Sequence, residues 1–189
     1  MKLVTGIFLV LLSLGIITAT FFPLLKNEIE YQQWHIRIEN YPETAITPLY
    51  TDFGLVIPKL NINAKVIKDV DPYIPSIYQK ALTQGVAHAK GTVLPGQEGN
   101  TFIFSHSSEN FYQALHYNSI FYLLPKMEIG DKIILYYEDQ PYEYTVTSKQ
   151  IVSPDDTSFL ENDTKVKTLT LMTCYPPGLN SQRFIVVAN

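Results

Sequence analysis

Between Phe53 and Asn189 the chain is cut into short apolar runs by turn-forming residues, and most of those runs repeat every second residue. Side chains alternate between the two faces of a strand, so this spacing suits half-buried strands better than helices. Gly54–Pro58 and Ile62–Ile67 read as a hairpin around Lys59–Asn61. Thr101–Ser105 reads as a strand, and Gly130–Glu138 and Tyr142–Ile151 as two longer ones around a turn at Asp139–Pro141. Thr168–Thr173 and Arg183–Ala188 close the chain as a last pair, joined by the turn-rich YPPGLNSQ. Pro75–Gln84 has room for one short helix ended by Gly85, and Asn110–Leu124 fits helix or strand. Many short strands with few helices predict an all-β fold with short helices, arranged as a closed or nearly closed barrel.

The first part of the chain follows different rules. From Leu3 to Leu25 there is no charged residue, and about 20 such residues cross a bilayer as a helix. Lys2 precedes the run, and Lys26, Glu28 and Glu30 follow it. The expectation is an N-terminal transmembrane helix over residues 1–26, with the N-terminus in the cytoplasm and the rest outside. A cleaved leader is the rival, but its small-residue site at Thr18-Ala19-Thr20 is faint and the apolar run continues past it. Residues 27–52 read as a stalk, with helix formers up to Asn40 and then Pro42 and Pro48. Tyr31 and Trp34 fit equally a membrane surface or a contact with the domain that follows. Residues 53–189 form that domain.

Charge narrows the partners. The whole chain carries 14 basic and 18 acidic residues. Without Lys2 and Lys26 the remainder holds 12 against 18, a formal −6. The basic residues are not clustered, so nucleic acid is not expected as a partner. Cys174 is the single cysteine and has no second cysteine for an internal disulfide. It stands at the end of one predicted strand, and Arg183 opens the next, so pairing of the two strands brings a thiol and a guanidinium to one rim. A thiolate with a cation nearby suits attack on a carbonyl. Of four histidines, His106 is best placed to serve the thiol, because it too stands where a strand (Asn100–Ser105) meets a loop. His88 is read as supporting, and His35 and His116 as facing solvent.

These residues resemble the sortases, membrane-anchored cysteine transpeptidases of bacterial surfaces. TLMTC at 170–174, followed after a proline-rich loop by Arg183 and FIVV, is similar to the family's TLxTC and its downstream arginine. GVAHAKGTVLPGQEGNTFIFSH, Gly85–His106, is similar to the segment that leads into the strand bearing the family's histidine. LVIPKLNINAKVI, Leu55–Ile67, is similar to its first strand pair. The resemblance covers Phe53 to the C-terminus. It implies a barrel of about eight strands and catalysis by Cys174, His106 and Arg183. It also implies that the enzyme cleaves a C-terminal sorting signal, LPxTG-like, on a secreted protein and passes it through a thioester to an amine on peptidoglycan or a pilin. The short TCYPPG loop looks more like the class D or E members.

Other readings stay open from sequence: a tethered cysteine peptidase that only hydrolyses, or a non-catalytic surface barrel. No cofactor is expected. The acidic stretch 153–165 invites calcium, but Asp155, Asp156, Glu161 and Asp163 match no recognisable ligand spacing.

Overall fold

The computed structural model describes residues 2–40, 46–107, 119–160, 165–177, 179 and 181–189; in the first helix, side chains are described for 4–18, 22, 25, 26 and 28–37. A helix α1 (Lys2–Asn40) leads into eight strands: β1 (Phe53–Ile57), β2 (Ile62–Val70), β3 (Val86–Ala89), β4 (Gly99–Phe104), β5 (Lys132–Tyr137), β6 (Gln140–Val152), β7 (Lys167–Tyr175) and β8 (Gln182–Ala188). A second helix α2 (Pro75–Leu82) lies between β2 and β3, and a 3-10 turn, Pro58–Leu60, joins β1 to β2. The strands close into a barrel in the order β1-β2-β3-β4-β7-β8-β6-β5, with β5 pairing back on β1. The expected closed eight-stranded β-barrel is therefore present.

Alternation decides which side chains fill the barrel. Leu55 and Ile57 on β1, Val66 on β2, Ile103 on β4, Leu169 and Leu171 on β7 and Val186 on β8 belong to one buried cluster inside. Their odd-even neighbours face outward. On β4 those neighbours are Phe102 and Phe104, which pack under α2 with Val70, Leu82 and Ala87 as a second buried cluster. β4 is thus buried on both faces, which explains the unbroken apolar run TFIF.

Three details differ from the sequence expectation. The four-residue strand β3 lies in a stretch to which the sequence reading assigns no element. Its VAHA is too short and alanine-rich to signal a strand, and its place comes from parallel pairing with β2 and antiparallel pairing with β4. The turn after β5 is tighter than Asp139–Pro141. Glu138 and Asp139, at φ 51° and 61°, make it alone, the left-handed pair that a two-residue hairpin needs, and Pro141 belongs to β6.

The third difference is α1, which passes residue 26 without a break. Lys26 pairs with Glu30 at 3.7 Å, and Gln32 donates to Glu28 at 3.2 Å, both one helical turn apart. The C-terminal half of α1 docks on the barrel rather than hanging as a loose stalk. Tyr31 is buried, the Trp34 indole N–H donates to the Pro58 carbonyl at 2.6 Å, and Lys126 Nζ reaches Glu28 at 2.7 Å while lying over the Tyr31 ring. That bond holds the Glu28 carboxyl below its ordinary range. Tyr31 and Trp34 therefore pack on the domain. The membrane-spanning reading of Leu3–Leu25 gains no support from the fold: among the described residues, no helix is long and apolar enough to cross a membrane.

Candidate functional site

Strand direction places the candidate residues at one rim. β4 and β7 run parallel with Phe104 opposite Met172, and β7 and β8 run antiparallel with Met172 opposite Ile185 and Cys174 opposite Arg183. Phe104, Met172 and Ile185 thus form one row across three neighbouring strands. Two residues further along, on the same outward face, His106, Cys174 and Arg183 form the next row. The Ser105 amide donating to the Met172 carbonyl at 3.2 Å and the Thr173 hydroxyl donating to the Ser105 carbonyl at 2.9 Å carry the β4–β7 alignment up to His106. Neighbouring strands are about 4.8 Å apart, so the backbone of Cys174 stands between those of His106 and Arg183 at single-strand spacing.

All three side chains line one cavity of about 280 Å³. Its floor is the row beneath, Phe104–Met172–Ile185, and its walls include Tyr78 of α2 and Phe159 and Leu160 of the segment after β6. His106 is buried at 6% exposure, while Cys174 and Arg183 are half-buried. Cys174 is in no disulfide. At the mouth, Asp156 accepts from the Ser158 hydroxyl at 2.6 Å and amide at 3.1 Å, which holds its carboxyl below the usual range. The arrangement offers a nucleophile, a proton carrier and a permanent cation around a pocket with apolar and aromatic walls.

Sequence reading misses how the wall is held. Asn100 at the base of β4 is buried at 4%. Its Nδ2 donates to the Phe159 carbonyl at 2.5 Å, and its Oδ1 accepts from the buried Thr170 hydroxyl at 2.9 Å. One amide therefore ties the segment after β6 to the strand that carries Cys174. A polar residue opening an otherwise apolar strand was the only sequence signal.

The other histidines separate from the site. His88 is fully buried on the inner face of β3. Its Nδ1 accepts from the Asp69 amide at 3.3 Å, so the proton sits on Nε2, which faces the Val93 carbonyl at 3.1 Å and the Thr92 hydroxyl at 3.0 Å. Burial, above all, pushes its pKa below the ordinary value, against the Val93 hydrogen bond and the Asp69 charge. It is a neutral structural pin. His35 is exposed and stacks on Tyr31. His116, Glu161 and Asp163 lie outside the described residues. Among the described residues, no group of three or more His, Cys, Asp or Glu side chains is placed to hold a metal.

A larger cleft, of about 440 Å³, opens at the same rim between α1 and β2, and none of the three residues lines it. Of the two, the smaller cavity holds the thiol.

Known proteins align with this architecture. The family profile described as Sortase domain matches residues 55–189. Sortase A of Listeria monocytogenes is 28% identical over 196 residues, covering 95% of this chain and 87% of that protein. Sortase C-1 from Actinomyces oris has a similar structure, with a TM-score of 0.62 at 26% identity, over 88% of this chain and 83% of that one. The crystal structure of Listeria monocytogenes sortase A gives a TM-score of 0.58 at 26% identity, over 74% and 86% of the two chains. The matched segment runs from within β1 to the last strand and takes in the cavity and the row of three residues, and on that match the chain belongs to the sortase family.

Proposed function

We propose that this chain is a membrane-anchored cysteine transpeptidase, with Cys174 as nucleophile, His106 as proton carrier and Arg183 as the cation that steadies the oxyanion. The observation that carries the proposal is the row His106–Cys174–Arg183, in which three adjacent strands bring the groups to one cavity. The Cys174 thiolate attacks the carbonyl carbon of a peptide bond held in the cavity, and the oxygen takes up the negative charge beside Arg183. Collapse breaks the C–N bond, and His106 protonates the departing amine. A second amine then gives its proton to His106 and attacks the thioester; the C–S bond breaks and the thiolate is restored.

The substrate is a secreted protein with a C-terminal sorting motif of the LPxTG-like kind, and apolar and aromatic walls suit its leucine and proline. The acceptor is an amine on peptidoglycan or a pilin. The short TCYPPG loop favours a class D or E member. Anchoring through residues 3–25, with the catalytic domain outside the cell, is the reading that the uncharged run Leu3–Leu25 supports. Val4, Phe8, Leu11 and Leu14 are 59–71% exposed, and a helix apolar all round is stable in lipid rather than in water. No cofactor enters the reaction.

The test uses the full chain in detergent micelles with a fluorescent sorting peptide, with and without triglycine. A thioester on Cys174 by mass spectrometry, and product diverted to the triglycine adduct, are expected. Cys174→Ala should leave no thioester, and Arg183→Ala should lower kcat by on the order of a hundredfold. Product that ignores the amine would assign the chain to hydrolysis alone. Thiol labelling and cleavage indifferent to His106→Ala would remove the catalytic row.

A further inference from the structure

The row does not stop at His106. Ala87 on β3 is opposite Phe104, and Val66 on β2 is opposite Val86. Carrying both registers to the rim puts Gly85 beside His106, and Lys65 beside Gly85. A Cβ on Gly85 would stand 2.2 Å from the Lys65 carbonyl oxygen, so this place is held by a residue with no side chain. From one end to the other the rim reads Lys65, Gly85, His106, Cys174, Arg183. At about 4.8 Å per strand, Gly85 lies on the order of 10 Å from Cys174.

Lys65 and Gly85 also line the 440 Å³ cleft, whose volume is that of a ligand site. Its polar lining groups include Asn61, Gln84, Tyr122 and, from α1, Glu30, beside the aliphatic Leu60 and Ile62. Lys65, Asn61, Gln84 and Glu30 are exposed. The cleft is joined to the histidine through the backbone, since Phe121, flanked by the lining residues Ile120 and Tyr122, donates its amide to the His106 carbonyl at 3.3 Å. The thiol cavity has more aromatic and aliphatic wall, from Tyr78, Phe102, Phe104, Phe159 and Leu160.

We propose that this cleft seats the second substrate of the transpeptidase reaction, a short peptide with a primary amine on an extended arm of about three residues and a carboxylate that meets Lys65. The inference rests on the transpeptidase reading given above. It adds an order to the rim: amine donor, then proton carrier, then thioester. An amine arriving over Gly85 meets His106 before Cys174. Its nitrogen lone pair bonds to the thioester carbon, its proton passes to His106, and the C–S bond breaks to release Cys174 as thiolate. Amide side chains at Asn61 and Gln84 match peptide groups, and the opposed charges of Lys65 and Glu30 match a ligand that carries both signs.

The test measures transfer by the full chain in micelles to three amines: Gly-Gly-Gly-Glu, Gly-Gly-Gly-Lys and methylamine. Gly-Gly-Gly-Glu should show a KM at least tenfold below that of methylamine. Lys65→Glu should cut that advantage about tenfold and shift the preference towards Gly-Gly-Gly-Lys, a swap that general loss of structure does not produce. A Gly-Gly-Gly-Glu to methylamine ratio unchanged by Lys65→Glu overturns the assignment. So does competitive inhibition by an N-acetylglucosamine disaccharide that persists in Lys65→Glu, which would give the cleft to a glycan. A missing thioester on Cys174 removes this inference with the transpeptidase reading, whereas a normal thioester with an unchanged ratio removes the cleft alone.

Discussion

Replacing Asn100 by alanine should damage the site from a distance. The side chain holds two partners at once, the Phe159 carbonyl and the Thr170 hydroxyl. Thr170 is 2% exposed, so water does not readily replace the lost acceptor. Leaving a buried hydroxyl unpaired costs about 1–3 kcal/mol, and losing the second hydrogen bond adds about 1 kcal/mol. Asn100→Ala should therefore lose about 2–4 kcal/mol in urea unfolding, with the m-value unchanged. Thr170→Val should lose about 1–2 kcal/mol, because the Asn100 Oδ1 loses its donor while Nδ2 still donates to the Phe159 carbonyl. The double variant Asn100→Ala/Thr170→Val should lose less than the sum, because the hydroxyl stranded by the first change is gone. A coupling of about 1 kcal/mol is expected. Phe159 loses its tie in the first variant and keeps it in the second, so a raised KM for the sorting peptide should follow Asn100→Ala but not Thr170→Val. Additive losses to within about 0.5 kcal/mol, or equal KM values for the two single variants, would refute the pinning role.

Two further outcomes follow from buried geometry. Gly85→Ala places a methyl against the Lys65 carbonyl at 2.2 Å, a backbone contact that cannot swing away, so strands β2 and β3 must part. A loss of about 1–3 kcal/mol in unfolding is expected, and a variant as stable as the parent would refute a tight approach of Gly85 to the Lys65 backbone. His88 supplies the pH dependence. Its folded pKa is depressed, so as pH falls the unfolded chain takes up the proton first, near about 6.5. The stability it secures is complete above that value and is lost as pH falls from there towards the lower folded pKa. His88→Gln should flatten this part of the stability curve, and an unchanged slope below pH 6.5 would assign the acid sensitivity elsewhere.

The closing strands were plain in the sequence because their chemistry is local. TLTLMTC alternates, RFIVVA is β-branched and aromatic, and the prolines between them force a loop. The row that includes His106 needed more, since it depends on β4 lying parallel to β7 across more than sixty intervening residues. The place of His106 at the end of an apolar run and the similarity of motifs pointed to it, but not to the strand pairing that delivers it. β3 was hidden because four residues, two of them alanine, take their strand geometry from neighbours on both sides. Asn100 was hidden because its worth lies in two partners, 59 and 70 residues away. The helix beyond residue 26 was legible as helix, but its docking was not. Tyr31 and Trp34 show aromatic character in the sequence, and only the folded chain shows that Pro58 and Lys126 receive them.

That unbroken α1 has a mechanical consequence. Tyr31 meets the barrel six positions after Leu25, which is about 9 Å of helix at 1.5 Å per residue. Because β2 and β3 start, and β4 and β7 end, on the side where Pro58 receives Trp34, the docked helix touches the very edge that carries the thiol. If residues 3–25 sit in lipid, the helix becomes a gauge that fixes the altitude of the sulfur above the bilayer to within about one turn. Both reactants must then present their reacting groups in that thin layer, and lengthening the helix by one turn between Leu25 and Glu28 would lift the sulfur about 5 Å out of reach of partners tethered to the same surface.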